Sequence, residues 1–329
     1  MNSQRFGMHA FQLTQPRSFV PVQTPSPKPD KGQILVKTKW VALCGSDIPY
    51  FTGRNSLITY PLEAGAQAHE CVGQVIESDS DQFYPEDWVL AMPEGNCGLA
   101  EMFVAQVSKA VNLPADLNDY SSSCLIQPLA TVMNAVDRLG EIRGQRIAVI
   151  GLGPIGLLFC WLLNIRGAGK IIGIDPCEHR CTATEKLGAT ETFPVRSVEL
   201  IQKLKKGLHS WEAPEICVEA VGHQVETLND CIELVSWKGK VLAFGVPDQS
   251  VYAFAFETFF RKNVVLIASV TPDWPEYLSK ARDLFLSHRT ELESIITHKF
   301  PIRNAGEAFS LYETHQDGIL KGLLDATHW

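Results

Sequence analysis

Nothing in the chain constrains its fold as much as residues 147–165, IAVIGLGPIGLLFCWLLNI, nineteen positions without a charge. By length alone such a run is enough for a membrane helix. Its glycines and proline argue otherwise, because they break it into a strand, a turn and a helix. Arg146 to Ile150 reads as the strand, and Gly151-Leu152-Gly153-Pro154-Ile155-Gly156 as the turn that opens the helix. In that context the glycine spacing is a dinucleotide fingerprint. Gly151 permits the tight turn, Gly153 lets the backbone approach a pyrophosphate, and Gly156 lets the helix pack close to the strand. The helix N-terminus at Pro154 and Ile155 then faces the phosphates with its partial positive charge. Asp175 closes the next apolar run, IIGID, nineteen residues after Gly156. A carboxylate there accepts hydrogen bonds from the adenosine ribose and repels a 2′-phosphate, so NAD is expected rather than NADP, with Arg180 pulling the other way.

The pattern around this motif sets the organisation. The first 120 residues hold short β runs (ILVKTKWVAL, CVGQVIE, DWVLAM) between turn signals, and the Pro-rich stretch 21–33 reads as a loop. From about residue 120 apolar runs alternate with helical patterns, which predicts a parallel sheet with helices on both faces. Near residue 270 this gives way to a helical stretch and a short tail. A length of 329 residues suits two domains. The formal charge of −8, without a long basic run, argues against nucleic acid and anionic membranes as partners. Nine cysteines, an odd number without framework spacing, and an N-terminus without a signal-peptide core predict a cytoplasmic protein with free thiols, most of them buried as small apolar residues.

One of those cysteines has chemical company. VALCGSDIPYF places Cys44, Ser46 and Asp47 within four positions, and Ala68-His69-Glu70 follows twenty-five residues after Cys44. Thiolate, imidazole and carboxylate suit zinc, and three protein ligands leave a position open for water or substrate. That separation does not by itself distinguish a metal site from a buried thiol near a chance His-Glu pair. CEHRC at 177–181 offers Cys177, His179 and Cys181 but no fourth donor, and it falls where a helix should begin, so no metal is expected there.

CGSD at 44–47, His69-Glu70 before CVGQV, GLAEMFV at 98–104, QPLA at 127–130, GLGPIG with Asp175, and THKFPI at 297–302 recur together in one family. The chain resembles the medium-chain, zinc-dependent alcohol dehydrogenases, and within them the polyol branch of sorbitol and threonine dehydrogenases. The resemblance covers nearly the whole length. It implies a Rossmann doubly wound cofactor domain (126–269) and a β-rich, GroES-like catalytic domain split into 1–125 and 270–329. It implies Cys44, His69 and Glu70 as ligands of a single catalytic zinc. Ser46 would accept the substrate proton, and Asp47 would orient the liganding histidine. Tyr50, Arg54, Glu101, Gln127 and Lys299 fall at or near positions that would line the pocket of a hydroxylated substrate. The expected reaction is hydride transfer between NAD and a secondary alcohol (polyol, sugar, cyclitol or amino alcohol) or its ketone, in a homodimer or homotetramer joined at the cofactor-domain sheet edge.

The chain also departs from that family. The lobe of four cysteines that binds a structural zinc is missing, and only Cys97 stands there. Gln127 replaces a glutamate that ligates zinc or holds its water. Cys124, one turn earlier, is a replacement ligand only if the backbone shifts. Pro49 replaces a histidine of the proton relay, and Ala68 replaces a glycine. Two other readings stay open: a zinc-free NAD(P)H quinone or enone reductase on the same fold, and a non-catalytic NAD-binding protein.

Overall fold

The computed structural model describes residues 7–54, 58–209 and 211–329. The chain divides into two compact units, Met1–Ala130 with Asp273–Trp329, and Thr131–Pro272. The strands of the first unit are β1 (Gly7–Gln15), β2 (Ser18–Pro25), β3 (Gln33–Ala42), β4 (Glu70–Ser78), β5 (Trp88–Ala91), β6 (Met102–Gln106) and β7 (Ala110–Asn112). Those of the second are β8 (Arg146–Ile150), β9 (Lys170–Ile174), β10 (Glu191–Phe193), β11 (Ile216–Glu219), β12 (Lys240–Ala243) and β13 (Val265–Ala268). The chain then returns to the first unit as β14 (Ile296–Pro301) and β15 (Lys321–Asp325).

In the first unit, β3 is the organising strand of a seven-stranded sheet. One edge pairs with β4, and the other pairs with β6 along Gln33–Lys37 and with β15 along Trp40–Ala42. The returning segment is thereby stitched to the N-terminal strands. Beneath it, Leu13, Ile34, Val36, Leu43, Phe51 and Phe309 share a core, with Phe19, Phe51 and Phe309 in mutual ring contact.

The stretch 21–33, read from its prolines as a loop, is partly strand. β2 takes residues 18–25 and pairs antiparallel with β1, with Pro21 opposite Phe11 and Pro25 opposite Gly7. The reason is position. β2 is an edge strand, and a proline's missing N–H costs nothing where that N–H would face solvent.

The second unit is a six-stranded parallel sheet in the order β10-β9-β8-β11-β12-β13. Residues 147–150 of β8 and 171–174 of β9 are buried throughout, as strands covered on both faces require. The strand order reverses between β8 and β11. In an open α/β sheet a ligand binds at such a point, outside the carboxyl ends of the strands. The uncharged run 147–165 is divided between β8 and a helix, Pro154–Ile165. Among the described residues no helix is long and apolar enough to cross a membrane. All nine cysteines are free, and six of them are buried.

Candidate metal centre and dinucleotide site

The gap between Cys44 and His69 is closed by antiparallel pairing. Ala42 at the end of β3 lies opposite Glu70 at the start of β4, so Cys44 runs past the sheet beside the His69-Glu70 pair. Donor atoms of Cys44, His69 and Glu70 all lie within 4.8 Å of one another, the one such three-residue grouping among the described residues. A tight turn, Gly45–Asp47, leads into a short helix, Ile48–Thr52, with Pro49 in its first turn. The turn lets Ser46 Oγ donate to Cys44 Sγ at 3.1 Å and buries Asp47. Asp47 Oδ1 stands 3.3 Å from His69 Nδ1, an ionic contact without hydrogen-bond geometry.

A fourth charge completes the cluster. Lys321, the first residue of β15, is 2% exposed and grips Glu70, its Nζ 2.9 Å from Oε1 and 2.6 Å from Oε2. Burial alone would push this lysine down, but the charge of Glu70 overrides it and holds the ammonium above its ordinary value. Burial likewise opposes charging His69, yet Asp47 and Cys44 outweigh it and raise the imidazole well above 6.5. Asp47 Oδ2 is buried without a hydrogen-bond partner. A sulfur, a nitrogen and an oxygen donor within ligand range, in a pocket that draws positive charge, fit a divalent cation such as zinc.

Cys124 stays outside the grouping of donors. Burial, then the charge of Glu70, push its thiol up, and a buried protonated thiol is a poor ligand. Gln127 is 6% exposed in the first turn of the helix Ile126–Leu139. Ala68 is tied by its N–H to Asn96 O and by its carbonyl to Gly98 N. Its methyl is accommodated because Gly98 has none. A Cβ on Gly98 would stand 2.4 Å from Cys71 Sγ and 2.8 Å from Ala68 O. The lone Cys97 thiol is pushed up to about 12 by burial and by Glu63.

The proposed substrate-lining residues have their own partners. Tyr50 offers its carbonyl to Tyr60 Oη. Arg54, 72% exposed, lies 3.5 Å from Glu313 Oε1. Glu101 Oε2 accepts the His9 N–H at 2.7 Å. Lys299 Nζ reaches Asp119 Oδ2 at 3.1 Å and Ser121 Oγ at 2.7 Å, and sits 5.1 Å from the Trp40 ring centroid. Among the described residues none of these four hydrogen-bonds the Cys44 cluster.

The second unit holds the glycine loop. Gly151 has φ +91°, and a Cβ on Gly156 would fall 1.9 Å from Gly151 O, so neither position accepts a side chain. Gly153 differs, since a Cβ there meets nothing within 4 Å. The protein does not need that space, which fits a loop shaped around a phosphate. Gly153 caps the helix that begins at Pro154 and Ile155 with no side-chain acceptor, leaving its first N–H groups for an anion. Asp175 is 3% exposed, and its oxygens accept Leu152 N and Cys177 N, each at 2.8 Å. Arg180 Nη1 lies 3.5 Å from Asp175 Oδ2. A separate cavity of about 450 Å³ opens between loops 223–226 and 248–253, and none of its lining residues belongs to the Cys44 cluster.

Two residues carry roles that no motif announced. Lys321 is 251 positions from its partner Glu70. Glu219 ends β11 as a buried carboxylate that gathers backbone donors from two loops.

Two family descriptions match successive parts of the chain, the alcohol dehydrogenase GroES-like domain over residues 30–115 and the zinc-binding dehydrogenase over 154–287. The chain belongs to the medium-chain, zinc-dependent alcohol dehydrogenase superfamily. Within it, the chain is 26% identical to sorbitol dehydrogenase of Gallus gallus over 320 residues, 87% of each chain. An Escherichia coli CFT073 alcohol dehydrogenase complexed with NADH shares the fold, with TM-score 0.80 and 20% identity over 97% of this chain and 99% of that one. So does a Sinorhizobium meliloti zinc-binding dehydrogenase bound to NADP, with TM-score 0.81 and 21% identity over the same shares. A medium-chain dehydrogenase is an oxidoreductase built on a GroES-like domain and a Rossmann domain, and this chain has both sheets.

Proposed function

We propose that the protein is a zinc- and NAD-dependent dehydrogenase of a secondary alcohol, most simply a polyol, sugar, cyclitol or amino alcohol. The observation that carries this reading is the convergence of Cys44, His69 and Glu70 donors within 4.8 Å, with Asp47 Oδ1 3.3 Å from His69 Nδ1. Those three residues would hold the metal, which supplies Lewis acidity toward a substrate oxygen. Glu70 has lone pairs enough to serve a metal and Lys321 together. Asp47 holds His69 in the tautomer that presents Nε2. Ser46, beside Cys44, takes the proton from the substrate hydroxyl. With Pro49 in the helix that follows, no side chain at that position relays the proton, and it leaves through water. Gln127 offers an amide to a substrate hydroxyl in place of a charge.

The glycine loop and the N-terminus of the helix at Pro154 hold the pyrophosphate. Asp175 meets the adenosine ribose, which favours NAD, with Arg180 restrained against the same carboxylate. The alcohol loses a proton to the protein and a hydride to the dinucleotide, giving a ketone. The cofactor unit has an exposed edge at β13, where Val265 is 50% and Leu266 39% exposed. A bare apolar edge is a pairing surface, and we assign it to a second copy of the chain. Free cysteines throughout suit a cytoplasmic setting.

A zinc-free reductase on the same fold draws support from Lys321, which gives Glu70 the positive partner a metal would otherwise supply. Elemental analysis of protein purified without chelator separates the two. The dehydrogenase reading expects about one zinc per chain, and reduction of NAD by a secondary alcohol, both lost in Cys44→Ser. No zinc after incubation with zinc and NAD would overturn it.

A further inference from the structure

The carboxylate of Glu219 is 4% exposed at the carboxyl end of β11. Its Oε1 accepts Val221 N and Gly222 N at 3.0 Å and Thr227 Oγ1 at 2.8 Å, and its Oε2 accepts Gly245 N at 3.1 Å. Every partner donates, and none is a lysine or arginine. The charge is balanced by peptide dipoles and a hydroxyl, not by a counter-ion. These bonds cinch together the loops that follow β11 and β12. The loops also interlock through missing side chains. A Cβ on Gly245 would lie 2.2 Å from Gly222 N, and one on Gly222 would lie 2.6 Å from Val246 N. Gly151, the first glycine of the fingerprint, abuts the same assembly, since its Cβ would meet Val221 Cγ2 at 2.6 Å.

The placement gives these contacts a purpose. β11 and β12 lie on the far side of the strand-order reversal from β9 and β10, where Asp175 stands. A dinucleotide laid across such a switch point sets its adenosine half on the Asp175 side and its nicotinamide half on the β11–β12 side. We propose that Glu219 is a positioning residue for the nicotinamide half, and that its charge, which among the described residues is met by backbone N–H groups and a hydroxyl and by no cation, favours the oxidised, cationic ring over the neutral reduced one. This rests on the dinucleotide reading above. A purely structural carboxylate would affect all ligands of the unit alike, whereas a charge on the nicotinamide side distinguishes among them.

The test is calorimetric titration of the full-length protein with ADP-ribose, NAD⁺ and NADH. In Glu219→Gln, ADP-ribose affinity is expected to stay within about twofold of wild type, while the preference for NAD⁺ over NADH falls on the order of fivefold, the scale of one remote buried charge. Thr227→Val removes one donor and keeps the charge. It should weaken NAD⁺ and NADH together, sparing ADP-ribose, and it serves alone if Glu219→Gln does not fold. Equal losses for all three ligands, or unchanged affinities in both variants, would overturn the proposal while leaving the dinucleotide reading intact. Wild-type protein that binds none of the three would remove that reading and the proposal with it.

Discussion

The two units bury negative charge in different ways. In the first, the buried carboxylates Asp47 and Glu70 flank His69, and the compensation includes a buried lysine drawn from the last strand of the chain. In the second, Asp175 and Glu219 are also buried, but they accept mainly backbone N–H groups of the loops they serve. The first arrangement is a set of side chains whose charges must balance, and it suits a cation. The second is a backbone held in shape by carboxylates, and it suits a ligand read by peptide groups. Removing a partner should therefore strand a charge in the first unit and loosen a loop in the second.

The largest effect is expected at Lys321. Lys321→Met leaves Glu70 buried without its cation and should cost about 3–5 kcal/mol in metal-free protein, measured by urea unfolding. Adding Glu70→Gln should return most of that loss, because the unpaired charge goes with it. Zinc should also return part of it if Glu70 is a ligand. A Lys321→Met protein within about 1 kcal/mol of wild type would show that the pair is not buried in the sense the geometry describes, and the contrast between the units would fail.

Asp47→Asn should leave the fold in place and lower zinc affinity by roughly 10- to 100-fold, the usual effect of losing a carboxylate behind a liganding histidine. Dinucleotide affinity should not change. A pH signature accompanies it. In metal-free protein His69 is raised above 6.5, so its contribution to stability is fully present below 6.5 and is lost as pH rises through the raised value. Zinc needs the neutral ring, so its affinity should climb over the same interval, with proton release on binding. Calorimetry of zinc binding at neutral pH in buffers of different ionisation heat should show that release, and less of it in Asp47→Asn. Equal proton release in the two proteins would remove Asp47 from this role.

The contrast between the units also explains what was legible beforehand. The glycine loop is contiguous, and the backbone reasons for Gly151 and Gly156 are local, so the strand–turn–helix they build was recognisable from the string of residues alone. β3 and β4 were each readable as β runs, but not their pairing, and it is the pairing that carries Cys44 to His69. Lys321 was not recognisable, because its partner lies 251 residues away and nothing beside it marks a buried charge. Glu219 looked like one more polar residue at a strand end, since its role lies in backbone donors that only the folded loops bring together. The prolines of β2 misled for a related reason. Whether a strand lies at an edge is a property of the sheet, not of the segment.

The smallest effect is expected at Lys299, on β14 beside the strand that holds Lys321. Lys299 and Asp119 are 46% and 47% exposed, so their 3.1 Å pair is screened by water. Burial tends to raise the Asp119 carboxyl, but hydrogen bonds from Ser121 and then Lys299 bring it below its ordinary value. Lys299→Met should therefore cost no more than about 1 kcal/mol in stability, read as a small shift in the urea midpoint. Two lysines on adjacent strands, each facing a carboxylate, thus separate by several fold in cost through burial alone. The same variant tests whether Lys299 meets substrate. An unchanged KM for the alcohol with a small stability loss makes it a surface pair, whereas a raised KM with unchanged stability places it against the substrate and returns to the pocket a residue whose own partners now hold it elsewhere.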